Sequence, residues 1–230
     1  MGVVGSIYYH VDKWVRPYAY VNEEQVAVNI EAKQKRKRNH VKGRKKPKLS
    51  PEEEKAKNEF LKTGAIGIDL VTVNNVMTEN DALNRLVVSN AQVAYYCHED
   101  NHHQIAVKFD EGSAWKYHAR NETKRKQLKP IIEHKKTGRG DKTHLIPVGF
   151  HGSENDERLL VRFDSKINKG ALKKEEEYVS NINMEEPILW FVDIIKQDDD
   201  TAIWNMTVWD KNNQIITQKS FHDYNKFIWA

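Results

Sequence analysis

Gly138-Arg139-Gly140-Asp141-Lys142-Thr143-His144 opens the stretch that decides the fold. The short apolar run His144 to Phe150, with Pro147 in it, continues from its end, then the loop residues 152–157, then Leu159-Leu160-Val161-Arg162-Phe163. The first apolar run contains a proline and reads as a strand edge leading into a loop. The second is a short strand. Ser165 to Val179 then has helical composition, with Ala171, Leu172 and a charged run after them, weakened only by Gly170. The order is strand, strand, helix, inside a chain whose other signals are mostly strands.

Downstream, residues 187–195 and 201–209 are long strands. The second alternates Ala202, Trp204, Met206 and Val208 against Ile203, Asn205, Thr207 and Trp209. Asp198-Asp199-Asp200 turns between them, and Ile215-Ile216-Thr217 begins a third strand after Lys211-Asn212-Asn213, which makes a meander. Upstream, Ser50-Pro51-Glu52-Glu53 is a helix start, with Ser at the N-cap, Pro next and Glu at the third position, for a helix running to Leu61. A strand is expected within 65–77, a short helix over 79–87 capped by Thr78 or Asn80, and a hairpin of 91–98 with 104–109. Residues 120–136 read as charged and exposed. The expectation is an α+β protein, an antiparallel sheet with flanking helices, in a single domain over residues 1–230.

Charge is uneven. The net charge is +4, yet residues 33–48 hold ten Lys or Arg and no acid, so removing those ten leaves −6. Lys35, Arg36, Lys37, Arg38, Lys42, Arg44, Lys45 and Lys46 are the expected phosphate contacts of a flexible basic arm, insensitive to sequence and sensitive to salt. Hydrophobic residues make up 39% and charged residues 30%, which fits a folded domain rather than a disordered chain. The one cysteine, Cys97, rules out a disulfide framework and a multi-thiolate zinc site within the chain. The N-terminal residues lack a basic start and a long apolar core, so no classical signal peptide is read. The expected location is the cytoplasm, or outside by another export route. No apolar run is long enough to span a bilayer as a helix.

His144, Asn168 and Glu176 are the candidate chemical groups. A neutral imidazole takes a proton from water. An amide oxygen is a hard ligand for a divalent cation, and a carboxylate orders water around such an ion. In a regular helix Glu176 lies about 80° around and roughly 12 Å along from Asn168. Arg139 and Lys142 bring charge for phosphate oxygens. Each group also has an ordinary reading. A histidine beside Leu-Ile-Pro is more often packed than catalytic, an Asn near a helix start is most often a cap, and Glu175-Glu176-Glu177 is usually a solvated face. The tryptophans of the C-terminal strands read as sheet core. His98, His102 and His103 at the hairpin turn are more often exposed than metal-binding, and His151 is a reserve for His144.

Asp141-Lys142-Thr143-His144 resembles the Asp-Arg-Gly-His motif of the DNA/RNA non-specific endonucleases, enzymes of the ββα-metal fold. The resemblance covers roughly residues 135–225. It implies that His144 is the general base, Asn168 the single protein ligand to Mg²⁺, and Glu176 the helix carboxylate that orders the ion's water shell. Arg139 and Lys142 would then stabilise phosphate charge. The motif arginine is Lys142 here, which keeps the charge but lacks the planar fork. The motif glycine is Thr143, which is branched at Cβ.

The expected function is therefore metal-dependent cleavage of DNA or RNA, with nucleic acid and a protective inhibitor protein as partners and no membrane. Two alternatives stand beside it: a non-catalytic nucleic-acid binder using the basic arm, and a structural or protein-interaction module.

Overall fold

The structure is a computed structural model. It describes residues 50–52, 54, 55, 58, 59, 68–116, 126–136, 140–147, 150 and 156–229. All of them fall within the compact unit Pro47–Ala230. The basic segment 33–48, Arg139 and His151 lie outside the described residues.

The chain is mixed α and β, mostly sheet. Ten strands form among the described residues: β1 Asp69–Thr72, β2 Val93–Glu99, β3 His102–Phe109, β4 Ile132–His134, β5 Gly140–His144, β6 Leu160–Asp164, β7 Ile188–Lys196, β8 Ala202–Trp209, β9 Ile215–Asp223 and β10 Phe227–Trp229. They make a six-stranded sheet, β1-β2-β3-β7-β8-β9, and a four-stranded sheet, β10-β4-β6-β5.

The six-stranded sheet is antiparallel except for the β1–β2 pair. Its hairpin between β2 and β3 turns on Asp100 and Asn101, both at positive φ (46° and 64°), the geometry of a tight two-residue turn that Asn and Asp tolerate. β7 is buried over its first seven residues, because both of its faces are covered. Leu189 and Phe191 pack with Ala82 and Leu86 of helix α1 (Glu79–Val88). Trp190, Val192 and Ile194 face the main core. Thr78 caps α1 by accepting from Asp81 N, while Asp81 accepts from Thr78 N, a reciprocal box worth about 1 kcal/mol.

The four-stranded sheet packs its Ile132, Val161, Phe163 and Phe227 onto the same core. Phe163 meets Trp204 edge-on, ring centroids 5.4 Å apart. β4 departs from the expected exposed segment. Ile132 and His134 are fully or nearly buried, because β4 is an inner strand between β10 and β6. β9 runs to Asp223, well past the expected 217. Its polar Gln218, Lys219 and Ser220 hide the strand pattern, as suits an outer strand.

After β6 the chain is helical from Ser165 to Asn183. Ile167–Leu172 is a π-helical segment that continues into α2, Lys173–Asn183. Asp164 starts it, its Oδ1 accepting from the backbone N–H groups of Lys166 and Ile167. Leu172, Val179 and Ile182 bury the inner side of this helix in the main core.

Candidate functional site

β5 and β6 form an antiparallel hairpin in the register Asp141↔Phe163, Lys142↔Arg162, Thr143↔Val161 and His144↔Leu160. Alternation along a strand puts Asp141 and Thr143 on the core-facing side and Lys142 and His144 on the other. Among the described residues β5 is the outer strand of its sheet.

Two features fix that hairpin. Gly140 lies so close to its neighbours that a Cβ there would sit 2.6 Å from His134 Cε1 and 2.8 Å from Phe163 O, a space no side chain fits. At the other end, Leu145 N donates to Leu159 O, and the indole N–H of buried Trp190 donates to Leu145 O at 3.0 Å. The core of the large sheet thereby anchors the residue next to His144.

His144 itself is buried, with 8% of its surface exposed. Asn168 sits in the π-helical segment, half-buried, near the Asp141 carboxylate. Lys169 Nζ pairs with the same carboxylate at 2.9 Å. Burial opposes ionisation of Asp141, but the hydrogen bonds from Lys169, Ser165 and Asn168 outweigh it and hold its carboxyl below the usual range.

Glu176 follows on α2, half-buried. The π-helical segment between Asn168 and Glu176 changes their relation. One extra residue in a turn takes back about 100°, so the regular-helix offset of about 80° becomes about 20° on the other side. Asn168 and Glu176 therefore share one helix face. The neighbouring glutamates divide the remaining roles: Glu175 accepts from Thr217 Oγ1 at 2.9 Å and ties the helix to β9, and Glu177 pairs with Lys173 in solvent.

Lys142 Nζ donates to the carbonyls of Lys126 and Leu128, at 3.2 and 2.5 Å. These bonds tie the segment at 126–128 to the motif strand. Among the described residues no group of three or more His, Cys, Asp or Glu gathers as a metal cluster. The hairpin histidines have other partners. His103, fully buried, lies with its Nδ1 2.9 Å from His98 Nδ1, and His102 pairs with Asp193. Trp190, Trp204 and Trp209 are core residues.

Sequence reasoning gave no role to Asp141, although it heads the motif. It also missed the buried pair His134–Asp223, joined at 2.8 Å. Asp223 Oδ2 also accepts from Asp164 N, at the point where β6 becomes helix. His134 and Asp223 are far apart in sequence, and no local pattern links them. No family model, curated protein or solved structure matches this chain.

Proposed function

We propose that the chain is a metal-dependent nuclease that hydrolyses phosphodiester bonds of DNA or RNA, built on a ββα-metal-like core of β5, β6 and the helix after them. The observation that carries this reading is the π-helical segment. It turns Asn168 and Glu176 onto one face of the helix that follows the motif hairpin; His144 lies on the side of β5 opposite Asp141, so this reading requires its ring to meet the metal-held water around the edge of that strand.

The available donors suit Mg²⁺: one neutral amide oxygen at Asn168 and carboxylates beside it, all hard oxygen ligands, with room in such a shell for water and phosphate. Bound there, the ion would neutralise charge on the phosphate and the departing oxygen. Asn168 is the residue that would hold it. Glu176 stands two turns further along, and its side chain leans back toward the helix N-terminus, so its carboxylate suits the ion's water shell better than the ion itself. His144 takes a proton from the attacking water, a contribution of roughly 10²–10⁴-fold. Lys142 adds positive charge on the same strand, and Arg139 immediately precedes that strand in sequence.

The test is cleavage of supercoiled plasmid and of single-stranded RNA, with Mg²⁺ and with EDTA, by wild type and His144→Ala. The expected result is Mg²⁺-dependent cleavage that drops by at least 10²-fold in the variant, with unchanged melting. Equal cleavage by the two proteins would sink the assignment.

A second reading is supported by the hydrogen bonds of Lys142. Its ammonium is engaged by two backbone carbonyls, and lysine here replaces the fork expected of the motif. A protein that binds nucleic acid through residues 33–48 without cutting it would tolerate both. It predicts salt-dependent binding with no turnover.

A further inference from the structure

Arg162 lies directly across the β5–β6 hairpin from Lys142, on the face that also carries His144. Two like charges opposite one another weaken a sheet. The hairpin keeps both, and among the described residues the guanidinium pairs with one carboxylate: Glu133 Oε1, at 3.5 Å, the outer limit of a hydrogen bond. Arg162 Nη1 donates to Gly140 O at 3.0 Å, which fixes the plane of the guanidinium against the first residue of β5. A guanidinium has five N–H groups, and this bond uses one. The Arg162 side chain keeps 24% of its surface exposed, and Glu133 is the more exposed of the two at 40%. Lys142, by contrast, gives N–H groups to the Lys126 and Leu128 carbonyls.

We propose that Arg162 is a phosphate-binding residue of this site, supplying from β6 the planar two-pronged contact that Lys142 cannot make from β5. Arginine grips a phosphate through two parallel N–H donors, whereas lysine acts as a point charge. The strand spacing of about 4.8 Å sets the two backbone positions side by side, and His144 stands two residues, roughly 7 Å, along β5 from Lys142. A polynucleotide phosphate seated on Arg162 lies on the face of the hairpin that also carries His144. Glu133 competes with that phosphate for the guanidinium. The placement next to a reacting phosphate rests on the nuclease reading; the binding itself does not.

The experiment measures binding of a fluorescein-labelled 12-nucleotide single-stranded DNA by anisotropy, in EDTA and between 50 and 200 mM salt. Wild type, Arg162→Gln, Arg162→Lys and Glu133→Gln are compared, each with its melting curve. Arg162→Gln is expected to weaken binding about tenfold and to make the log–log salt slope shallower by about 0.7, one single-strand phosphate contact. Arg162→Lys keeps the slope but loses part of the affinity, and Glu133→Gln binds two- to threefold tighter. In the cleavage assay Arg162→Gln raises KM more than it lowers kcat. Wild-type affinity and slope in Arg162→Gln would overturn the proposal. Should that variant melt early, the decision passes to Glu133→Gln, and no gain in affinity there overturns it. Arg162-dependent binding by a wild type that never cleaves would instead defeat the nuclease reading and leave this contact standing.

Discussion

The two sheets of this molecule are built on different principles. The six-stranded sheet has long ladders and apolar faces, with Trp190, Val192, Ile194, Trp204, Met206 and Val208 in one core. The four-stranded sheet is made of short strands, and its buried polar groups include His134, Thr143 and His144, with Asp223 of β9 brought beneath it. Its β5–β6 hairpin needs a glycine where no side chain fits, and it runs into a helix that departs from α geometry. Hydrophobic packing is non-directional and tolerates repacking, whereas a buried polar group is favourable only in one arrangement. The large sheet therefore supplies stability, and the small one uses part of it to hold polar atoms at fixed positions. Irregular, locally costly geometry gathers where a protein acts.

This contrast can be broken first at the large sheet. Trp204→Ala removes a fully buried ring that also touches Phe163, and it should cost about 3–5 kcal/mol, roughly 10 °C or more in Tm. A loss below 1 kcal/mol by denaturant titration would show that the core does not reside there. Next comes the polar anchor of the small sheet. Asp223→Ala strips buried His134 of its partner and Asp164 N of its acceptor, for about 3 kcal/mol. If the small sheet is as tolerant as the large one, the variant will melt within 2 °C of wild type.

Asp141→Asn sharpens the contrast, because it should affect function more than stability. Outer partners of metal ligands are typically worth 10–100-fold in metal affinity or activity. The expected outcome is a Mg²⁺ midpoint raised by that factor with Tm nearly unchanged. The reverse, a large drop in Tm with normal Mg²⁺ dependence, would make Asp141 a purely structural pair for Lys169.

The smallest effect is a slope with pH. Burial, helped by the charge of His98 and opposed by the Arg158 backbone, pushes the His103 imidazole down to about 3. Its unfolded value is about 6.5, so the unfolded chain binds the extra proton between these limits. The stability His103 contributes is complete above pH 6.5 and is lost as pH falls toward 3, by at most about 1.4 kcal/mol per pH unit. His103→Leu should flatten the curve of unfolding free energy between pH 6 and 4.5. An unchanged slope would mean that His103 titrates alike in both states. Asp141, whose pKa is also held down, acts lower: its contribution is present above about pH 4 and fades below.

Much of the fold was legible because its signals are local. The Thr78 cap, the Asp100–Asn101 turn, the alternation of β8 and the strand–strand–helix order of β5, β6 and α2 each depend on neighbours within a few residues. β4 and the far half of β9 were not legible. Ile132 is buried by strands distant in sequence, and β9 is polar because it is an outer strand. The candidate site divides in the same way. His144, Asn168 and Glu176 could be picked by residue type and spacing. Asp141 as the partner of Lys169, Arg162 as the cross-strand neighbour of Lys142, and the π-helical segment could not, since each depends on register or on a hydrogen-bond pattern that many sequences satisfy.

By itself, then, the sequence determined the kinds of element, their order and the chemical inventory, because periodicity, capping and turn chemistry are short-range properties of the chain. The tertiary structure alone decided which polar atoms meet: Asp141 with Lys169, His134 with Asp223, and Arg162 with Gly140 O. Those meetings are set by strand register and helix phase, where a shift of one residue turns a side chain to the opposite face of a strand or by about 100° around a helix.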